Sequence, residues 1–250
     1  VLLSDPGAFL EELTCLNRKW SSWFELQKTR RADWVAEWSE RIAKETVEDQ
    51  RIHPLKLSLD VQAEMGENDW LVFDGGNTHF WSEIAVNIAG WKGQKLGGIM
   101  HPGNYSLLGV GVSFGISAKN MHPDKNVVVI SGDGAFLSGG LSIEVAFQGG
   151  LPITVVIDNN GGLDCISQQQ ERLFSNGKHF ATDFRDIPFH TMFEGLGGYG
   201  ELVTKSEDIG PALRRAMKSG KTACINVKCK GVISPIVAAT SDKRDKASIE

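Results

Sequence analysis

The amino-acid sequence predicts an α/β protein: a doubly wound, mainly parallel sheet with helices on both faces, preceded by a helical N-terminal segment. Two observations support this prediction. From about residue 53 onwards, short runs of β-branched residues alternate with stretches of helical character. The two most regular runs, Val127 to Ile130 and Ile153 to Ile157, are apolar throughout. Uninterrupted apolar runs of this length are typical of parallel strands that are buried on both faces.

The first segment, residues 1–52, is expected to be helical. It is rich in Trp, Glu, Lys and Arg at helical spacing and contains no strand-like run. Asp5-Pro6 is a typical helix start, so Pro6 to Leu16 should form one amphipathic helix. Trp34 and Trp38 are four positions apart and share one helix face. The acidity of the chain favours packing over base stacking for these tryptophans.

Residues 53–230 are expected to form the α/β domain, and residues 231–250 a charged tail that is either mobile or a partner-dependent lid. Strands are indicated by the β-branched runs, and helix ends by Pro, Ser and Gly. In order, we expect a helix (Pro54 to Met65), a strand (Trp70 to Asp74), a turn (Gly75 to Thr78), a helix start near Trp81, a glycine-rich stretch (Gly97 to Gly115), the strand–helix–strand unit of residues 127–160, a loop (Gly161 to about Asp183), a helix (Pro188 to Gly195), a strand (Glu201 to Thr204), a helix (Ser206 to Ser219) and a last strand (Ala223 to Val227).

Composition limits the classes of partner. The net charge of −5 and the pI near 5.7 argue against nucleic acid or an anionic membrane. No apolar run approaches a membrane span, and residues 1–20 lack a signal-peptide pattern. The four cysteines form no metal-binding pattern, so we expect reduced thiols in a cytoplasmic protein. The chain opens on Val1, which suggests a processed, trimmed or split polypeptide.

The most informative motif is Gly132-Asp133-Gly134, followed after 24 residues by Asn159-Asn160. Parallel strands joined by a helix end at the same edge of the sheet, so Asp133 and Asn160 should converge. A carboxylate and an amide oxygen are hard ligands, suited to Mg²⁺ or Ca²⁺ shared with phosphates rather than to zinc. The glycines let backbone N–H groups approach an anion. The alternative is an ordinary Asp-Gly turn with a chance Asn pair.

Two further segments should meet this motif at the sheet edge. The turn Asp74 to Thr78 offers small polar side chains and free N–H groups at a helix start, which suits a diphosphate or a simple N-cap. The segment Gly103 to Gly111 contains glycines that permit close approach to a flat ring, and leucines that could form an apolar wedge. Taken alone, the segment is better interpreted as a tight helix entry with helix–sheet packing.

The Gly-Asp-Gly and Asn-Asn pair resembles the thiamine diphosphate motif. From about residue 53 to 230 the chain is similar to the C-terminal, diphosphate-binding domain of the acetolactate synthase-like and 2-hydroxyacyl-CoA lyase-like thiamine diphosphate enzymes. The resemblance implies that Mg²⁺ is bound by Asp133, Asn160 and the backbone carbonyl of Gly162. It implies that Leu108 holds the thiamine in its bent form. The remaining cofactor-binding residues that it implies are Gly76, Asn77, Thr78, Ser106, Gly132, Gly134 and Ala135.

The resemblance also implies an activity: a C–C bond lyase or carboligase that acts on a 2-oxo acid or a 2-hydroxyacyl substrate, with this chain supplying the diphosphate and metal half of the site. One alternative is a 2-hydroxyacyl-CoA lyase or ligase that joins a formyl-CoA-type unit to a ketone or aldehyde. In that case Lys243, Arg244 and Lys246 of the tail could contact CoA phosphates. Another alternative is a regulatory subunit that keeps the fold without catalysis.

One part of the family's site is not found in this sequence. Family members activate the cofactor with a glutamate on a pyrimidine-binding domain, usually of another subunit. We therefore expect a partner chain or a missing N-terminal portion, and a homo- or hetero-oligomer. Residues 1–16 resemble the last helix of the family's middle domain, which makes residues 1–52 a linker. Glu144 is interpreted as a packing or solvated residue.

Three other side chains, Cys165, His79 and His101, allow two interpretations each. Cys165 and Gln169 stand near positions where the acetolactate synthases carry a methionine and a tryptophan, which weakens a literal acetolactate synthase assignment. Cys165 could be a nucleophile or a thiol in the wall of the site. His79 and His101 could relay protons or be structural histidines held by hydrogen bonds.

Overall fold

The computed structural model describes residues 21–48, 51–174 and 179–239. Its centre is one six-stranded sheet in which all paired strands run parallel. The strands are β1 (Trp70–Phe73), β2 (Gly98–Met100), β3 (Val127–Gly132), β4 (Thr154–Asn159), β5 (Tyr199–Val203) and β6 (Ala223–Lys228), and their spatial order is β2-β1-β3-β4-β6-β5. The predicted α/β fold is confirmed.

Helices connect the strands. They are α1 (Ser21–Glu48), α2 (Pro54–Ala63), α3 (Asn77–Trp91), α4 (Gly111–Met121), α5 (Asp133–Gly139), α6 (Ile143–Gly149), α7 (Asp164–Leu173), α8 (Phe189–Gly195) and α9 (Ile209–Lys218). Single 3₁₀ turns lie at Gly103–Tyr105, Gly140–Ser142 and Ser206–Asp208. Within the described part of the chain, no helix has the length and apolar composition that a membrane crossing requires.

The sheet is covered by helices on both faces. Val128 and Ile130 of β3 belong to one hydrophobic cluster, which α2 and α9 cover with residues such as Leu57 and Leu213. The alternate residues of β3, Val127 and Val129, belong to a second cluster, together with residues of α4, α6 and α8. Successive side chains of a strand point to opposite faces, so burial on both faces explains the uninterrupted apolar runs.

The chain divides into two compact units, one ending at Arg41 and the other beginning at Ile42. In the first unit, the described residues, 21–41, are helical and belong to α1. This agrees with the helical segment that the sequence predicts. Arg41 lies over the ring of Trp38, with its guanidinium carbon 4.9 Å from the ring centroid. The predicted helix Pro6 to Leu16 lies outside the described residues. So do the tail residues Lys243, Arg244 and Lys246, and the boundaries at residues 52 and 230 remain predictions.

Two elements differ from the sequence prediction. The predicted loop from Gly161 to Asp183 is wrong, because α7 occupies residues Asp164–Leu173 of it. This helix is polar and Ser167 is its only buried residue, so its sequence contains too few apolar residues to indicate a helix. Its Asp164 and Arg172 nevertheless suit the two ends of the helix dipole. The glycine-rich stretch before residue 115 contains β2, whose three residues are too few to form a recognisable strand run.

The strand order determines where a ligand can bind. The chain passes from β1 to β2 on one side of β1, while β3 lies on its other side. The order therefore reverses between β1 and β3. In open α/β sheets, the crevice beyond the carboxyl ends of the strands at such a reversal is the usual ligand site.

Candidate functional site

A cavity lies at that edge of the sheet, beyond the ends of β1, β3 and β4. Its walls include Gly75 and the segment Leu163 to Ile166 at the start of α7. Every predicted cofactor or metal residue also lines it: Gly76, Asn77, Thr78, Ser106, Leu108, Gly132, Asp133, Gly134, Ala135, Asn160 and Gly162. Three segments that are distant in sequence thus meet at one place.

Asp133 begins α5 directly after β3 and is buried in the wall of the cavity. Its Oδ1 accepts the N–H of Gly134 at 2.7 Å. Its Oδ2 accepts the N–H groups of Gly161 at 2.8 Å and Gly162 at 3.1 Å. Burial raises the pKa of Asp133 to about 6, although the three backbone N–H groups oppose that shift. The carboxylate therefore joins the turn after β3 to the turn after β4.

Asn160 and Gly162 form the second of these turns. Gly161 has φ +86°, which turns the chain sharply after β4. Asn160 Oδ1 accepts the N–H of Gly162 at 3.2 Å. A Cβ on Gly162 would lie 2.4 Å from the carbonyl oxygen of Thr182, so this position is closely packed. A carboxylate, an amide oxygen and a backbone carbonyl at one cavity wall are the donors that a hard divalent cation such as Mg²⁺ prefers.

Asp74 connects the other walls, a role that the sequence analysis missed. Its Oδ1 accepts the N–H groups of Gly109 at 2.9 Å and Val110 at 3.1 Å. Its Oδ2 accepts the hydroxyl of Ser131 in β3 at 3.1 Å. This buried carboxylate holds the end of β1, the glycine-rich segment and β3 together. The sequence signal for this role was the position of Asp74 at the end of an apolar strand and directly before two glycines.

The turn after β1 and the glycine-rich segment approach each other closely. A Cβ on Gly75 would lie 2.3 Å from the carbonyl oxygens of both Ser106 and Leu107. Gly76 has φ +85°, and its N–H donates to Ser106 Oγ at 2.9 Å. Leu108 Cδ2 would lie 2.9 Å from a Cβ on Gly76. A side chain at Gly75 or Gly76 would therefore collide with the segment that carries Leu108. The two glycines let Leu108 lie next to the turn, where an apolar wedge was predicted.

The side chains of Asn77 and Thr78 are bound within the chain. Asn77 Oδ1 accepts the N–H of Ser234 at 2.8 Å, and its amide donates to the carbonyl of Val232. Thr78 Oγ1 donates to Asp158 Oδ2 at 3.0 Å. No side chain caps the start of α3, so the N–H groups of its first turn are the groups suited to an anion. The first residues of the predicted tail are thus packed on α3.

Asp158 is a third buried carboxyl group next to the site, after Asp133 and Asp74, and the sequence analysis did not name it. It lies near the end of β4 and is 2% exposed. Burial raises its pKa to about 7, the negative charge of Asp133 raises it further, and hydrogen bonds from Cys229 and Thr78 oppose the shift. An aspartate inside an apolar strand run was the signal that could have identified it.

The ambiguous side chains can now be placed. Cys165 lines the cavity, and burial raises the pKa of its thiol, so that it is protonated at neutral pH. This supports the wall interpretation over the nucleophile. Gln169 Nε2 lies 3.7 Å from Cys165 Sγ. Glu144 is exposed, as expected. His79 is buried and bonded on both ring nitrogens, and burial lowers its pKa.

A second, polar cavity adjoins the first and shares Asn160 and Asp164 with it. Charged side chains line it, three of them able to carry a positive charge: Arg51, Arg172 and His179. His179 Nε2 lies 2.6 Å from Glu171 Oε1, and the hydrogen bonds to Glu171 and Asp183 raise the pKa of this histidine. An anionic part of a ligand could extend from the first cavity into this one.

The chain is similar to proteins of a known family. Residues 74–227 match the family described as "Thiamine pyrophosphate enzyme, C-terminal TPP binding domain". A probable acetolactate synthase of Mycobacterium bovis is 29% identical over 177 residues, which are 70% of this chain and 31% of that protein. A 2-hydroxyacyl-CoA lyase of Oryza sativa is 26% identical over 226 residues, 88% of this chain and 38% of that protein.

A solved structure shows the same fold. The thiamine diphosphate-dependent 4-hydroxybenzoylformate decarboxylase of Rhodococcus jostii RHA1 superposes with a TM-score of 0.62 at 24% identity, covering 74% of this chain and 34% of that chain. The chain spans about a third of the length of these relatives.

Proposed function

Because the chain belongs to the thiamine pyrophosphate enzyme family through the C-terminal TPP-binding domain that fills most of it, we propose that it supplies the diphosphate and metal half of an active site that makes or breaks a C–C bond. The proposed substrate is a 2-oxo acid or a 2-hydroxyacyl compound. The observation that carries the proposal is the convergence of Asp133, Asn160 and Gly162 with the α3 turn on one cavity.

The residues present fit the cofactor and its metal. Asp133, Asn160 and the carbonyl of Gly162 would hold Mg²⁺, and a cation beside Asp133 would favour the ionised carboxylate over the buried acid. The close approach of the turn at Gly75 to the carbonyls of residues 106 and 107 leaves no room for a side chain there. A cavity wall formed by main-chain atoms without side chains suits a diphosphate, because backbone N–H groups can then reach its oxygens.

Thiamine diphosphate, when bound, supplies a carbon nucleophile and an electron sink for chemistry next to a carbonyl. This chain's residues would bind and orient it. The N–H groups at the start of α3 and after Gly132 would bind the diphosphate. Leu108 would contact the thiamine rings, because its side chain lines the cavity next to the turn at Gly75 and Gly76. Leu163 and Ile166 would form an apolar wall that keeps water away from the reacting carbon.

The activating acid is proposed to come from a second polypeptide or a further domain. Among the described residues, no glutamate lines the cavity. The described residues of this cavity wall therefore do not supply the glutamate that would activate the cofactor. A pyrimidine-binding domain with a glutamate would complete it.

A second candidate, a 2-hydroxyacyl-CoA lyase or ligase, is favoured by the polar cavity. The basic side chains around that cavity adjoin the cofactor site through Asn160 and Asp164. CoA phosphates are a suitable anion for Arg51 and Arg172. The 2-hydroxyacyl-CoA lyases among the relatives cover 88% and 92% of this chain.

One experiment tests both candidates. The full chain is tagged and purified from its source cells, and the complex is assayed with thiamine diphosphate and Mg²⁺ on a 2-oxo acid and on a 2-hydroxyacyl-CoA. We expect a second polypeptide with a pyrimidine-binding domain, and turnover of one substrate class. Release of an aldehyde or ketone together with formyl-CoA would select the second candidate. A complex that turns over neither class would instead identify a non-catalytic subunit.

A further inference from the structure

A cluster of metal-ligating side chains lies behind the wall of the cofactor cavity and has no part in the proposed function. His79 and Glu83 come from α3, and His101 from the segment after β2. His79 Nε2 lies 3.1 Å from Glu83 Oε1 and 3.1 Å from His101 Nδ1. All three atoms lie within 4.8 Å of one another, and no other such group occurs in residues 21–48, 51–174 and 179–239.

The chemistry of this cluster differs from that of the magnesium site. Two imidazoles and one carboxylate are ligands of zinc and similar transition metals, whereas Mg²⁺ prefers oxygen alone. A tetrahedral zinc ion with bonds of about 2.0–2.1 Å has ligand atoms about 3.3 Å apart. The separations of 3.1 Å from His79 Nε2 to Glu83 Oε1 and to His101 Nδ1 are close to that spacing. We propose that His79, Glu83 and His101 form a zinc site that leaves the fourth position to water.

The surroundings hold the two imidazoles in place. The ring of Phe73 lies beside both, with centroids 5.4 Å from His79 and 4.9 Å from His101. His79 Nδ1 lies 3.1 Å from Ser106 Oγ. Metal-binding histidines commonly use their second nitrogen in such a hydrogen bond, which fixes the ring and its tautomer. A zinc ion would thus have a rigid ligand in His79 and a supporting residue in Ser106.

The site is open to solvent on one side. The side chain of Glu83 is 36% exposed, and His101 is exposed, while His79 is buried. The exposed edge provides an entry path for the ion. Because the ligands come from α3 and from the segment before Ser106, zinc would fasten together two walls of the cofactor cavity.

The competing explanation is a hydrogen-bonded cluster, in which the N–H at His79 Nε2 is shared between Glu83 and His101. In it, His101 Nδ1 also accepts the N–H of Gly103 at 3.2 Å, a hydrogen bond that zinc would replace. Zinc titration of the full chain, stripped of metal and then studied by calorimetry, separates the two. We expect one zinc ion per chain at this site. His101→Ala and Glu83→Gln should each weaken zinc binding at least tenfold, and Ser106→Ala by about tenfold.

Two controls identify the site. His122→Ala, at a histidine outside the cluster, should leave zinc binding unchanged. Co²⁺ in place of zinc should give the visible absorption of a tetrahedral site in the wild type but not in His101→Ala. If the wild type binds zinc no more tightly than His101→Ala and Glu83→Gln, the cluster is only hydrogen-bonded and the proposal is wrong.

Discussion

The carboxylate of Asp133 accepts the backbone N–H of Gly162 at 3.1 Å, across 29 positions of sequence. This contact joins the turns after β3 and β4. The same carboxylate is the proposed metal ligand, so it has a structural and a binding role. The two roles can be separated, because an amide oxygen accepts a hydrogen bond but provides no negative charge.

Asp133→Asn should keep the fold and lose the metal. The amide can still accept N–H bonds at one oxygen, so we expect a loss of stability of about 1–2 kcal/mol. Mg²⁺-dependent binding of thiamine diphosphate should weaken by more than tenfold, because the charged ligand is gone. Calorimetric titration in Mg²⁺ measures this. Asp124→Asn, at an exposed carboxylate, is the matched control and should bind normally. Equal binding by both variants would show that Asp133 does not hold the metal.

Gly75→Ala should destabilise the protein and damage the site. The added Cβ would lie 2.3 Å from two backbone carbonyl oxygens, which cannot move as a side chain could. We expect a loss of about 1–3 kcal/mol in the free energy of unfolding, measured by urea denaturation. Gly90→Ala is the control, since nothing lies within 4 Å of its Cβ. That substitution in α3 should be neutral or stabilise by up to about 1 kcal/mol. Equal effects of the two substitutions would refute the close packing.

Leu108→Ala should separate recognition of the thiamine rings from recognition of the diphosphate. The side chain is 39% exposed, so the loss of stability should be below about 1 kcal/mol. Affinity for thiamine diphosphate should fall several-fold, while affinity for inorganic pyrophosphate stays unchanged. Leu107→Ala, at a neighbouring leucine outside the cavity wall, should change neither affinity. A parallel loss of both affinities in Leu108→Ala would contradict a wedge that supports only the rings.

Asp158 should make stability depend on pH in the absence of metal. Its pKa is raised to about 7 in the folded protein from 3.8, so the folded state holds this proton more tightly than the unfolded state. Unfolding therefore releases the proton between about pH 4 and pH 7, and stability falls as the pH rises through that window. The loss should be on the order of 4 kcal/mol.

The test compares the wild type with Asp158→Asn in urea melts from pH 4 to pH 8 with a chelator present. The asparagine cannot titrate but can still accept the hydroxyl of Thr78. The stability of the variant relative to the wild type should increase as the pH rises. Parallel pH profiles for the two proteins would mean that Asp158 has an ordinary pKa.

Much of the fold and site could be predicted from sequence because the signals were local. The apolar runs around Val129 and Val155 identify buried parallel strands, and strand ends that share one edge bring Asp133 and Asn160 together. The contacts of Thr78 with Asp158 and of Asn77 with residues 232–234 could not be predicted. They depend on the placement of β4 beside β6 and on the path of the chain after β6, which no local pattern encodes.

The elements that were missed have weak patterns for a physical reason. α7 lies in the wall of the cavity and Ser167 is its only buried residue, so few apolar side chains indicate it in the sequence. β2 is a three-residue edge strand. β2 requires a glycine at position 98, because a Cβ there would lie 2.5 Å from the ring of Trp70 in β1.

Thermal unfolding of the full chain decides whether this cavity binds a diphosphate through a divalent cation. The melting temperature is measured with thiamine diphosphate and Mg²⁺ together, with each alone and with a chelator. We expect it to rise clearly only when both are present, and we expect Asp133→Asn to abolish this rise. An unchanged melting temperature at millimolar concentrations of both, with the chain alone and with its co-purified partner, would show that the cavity does not bind the cofactor.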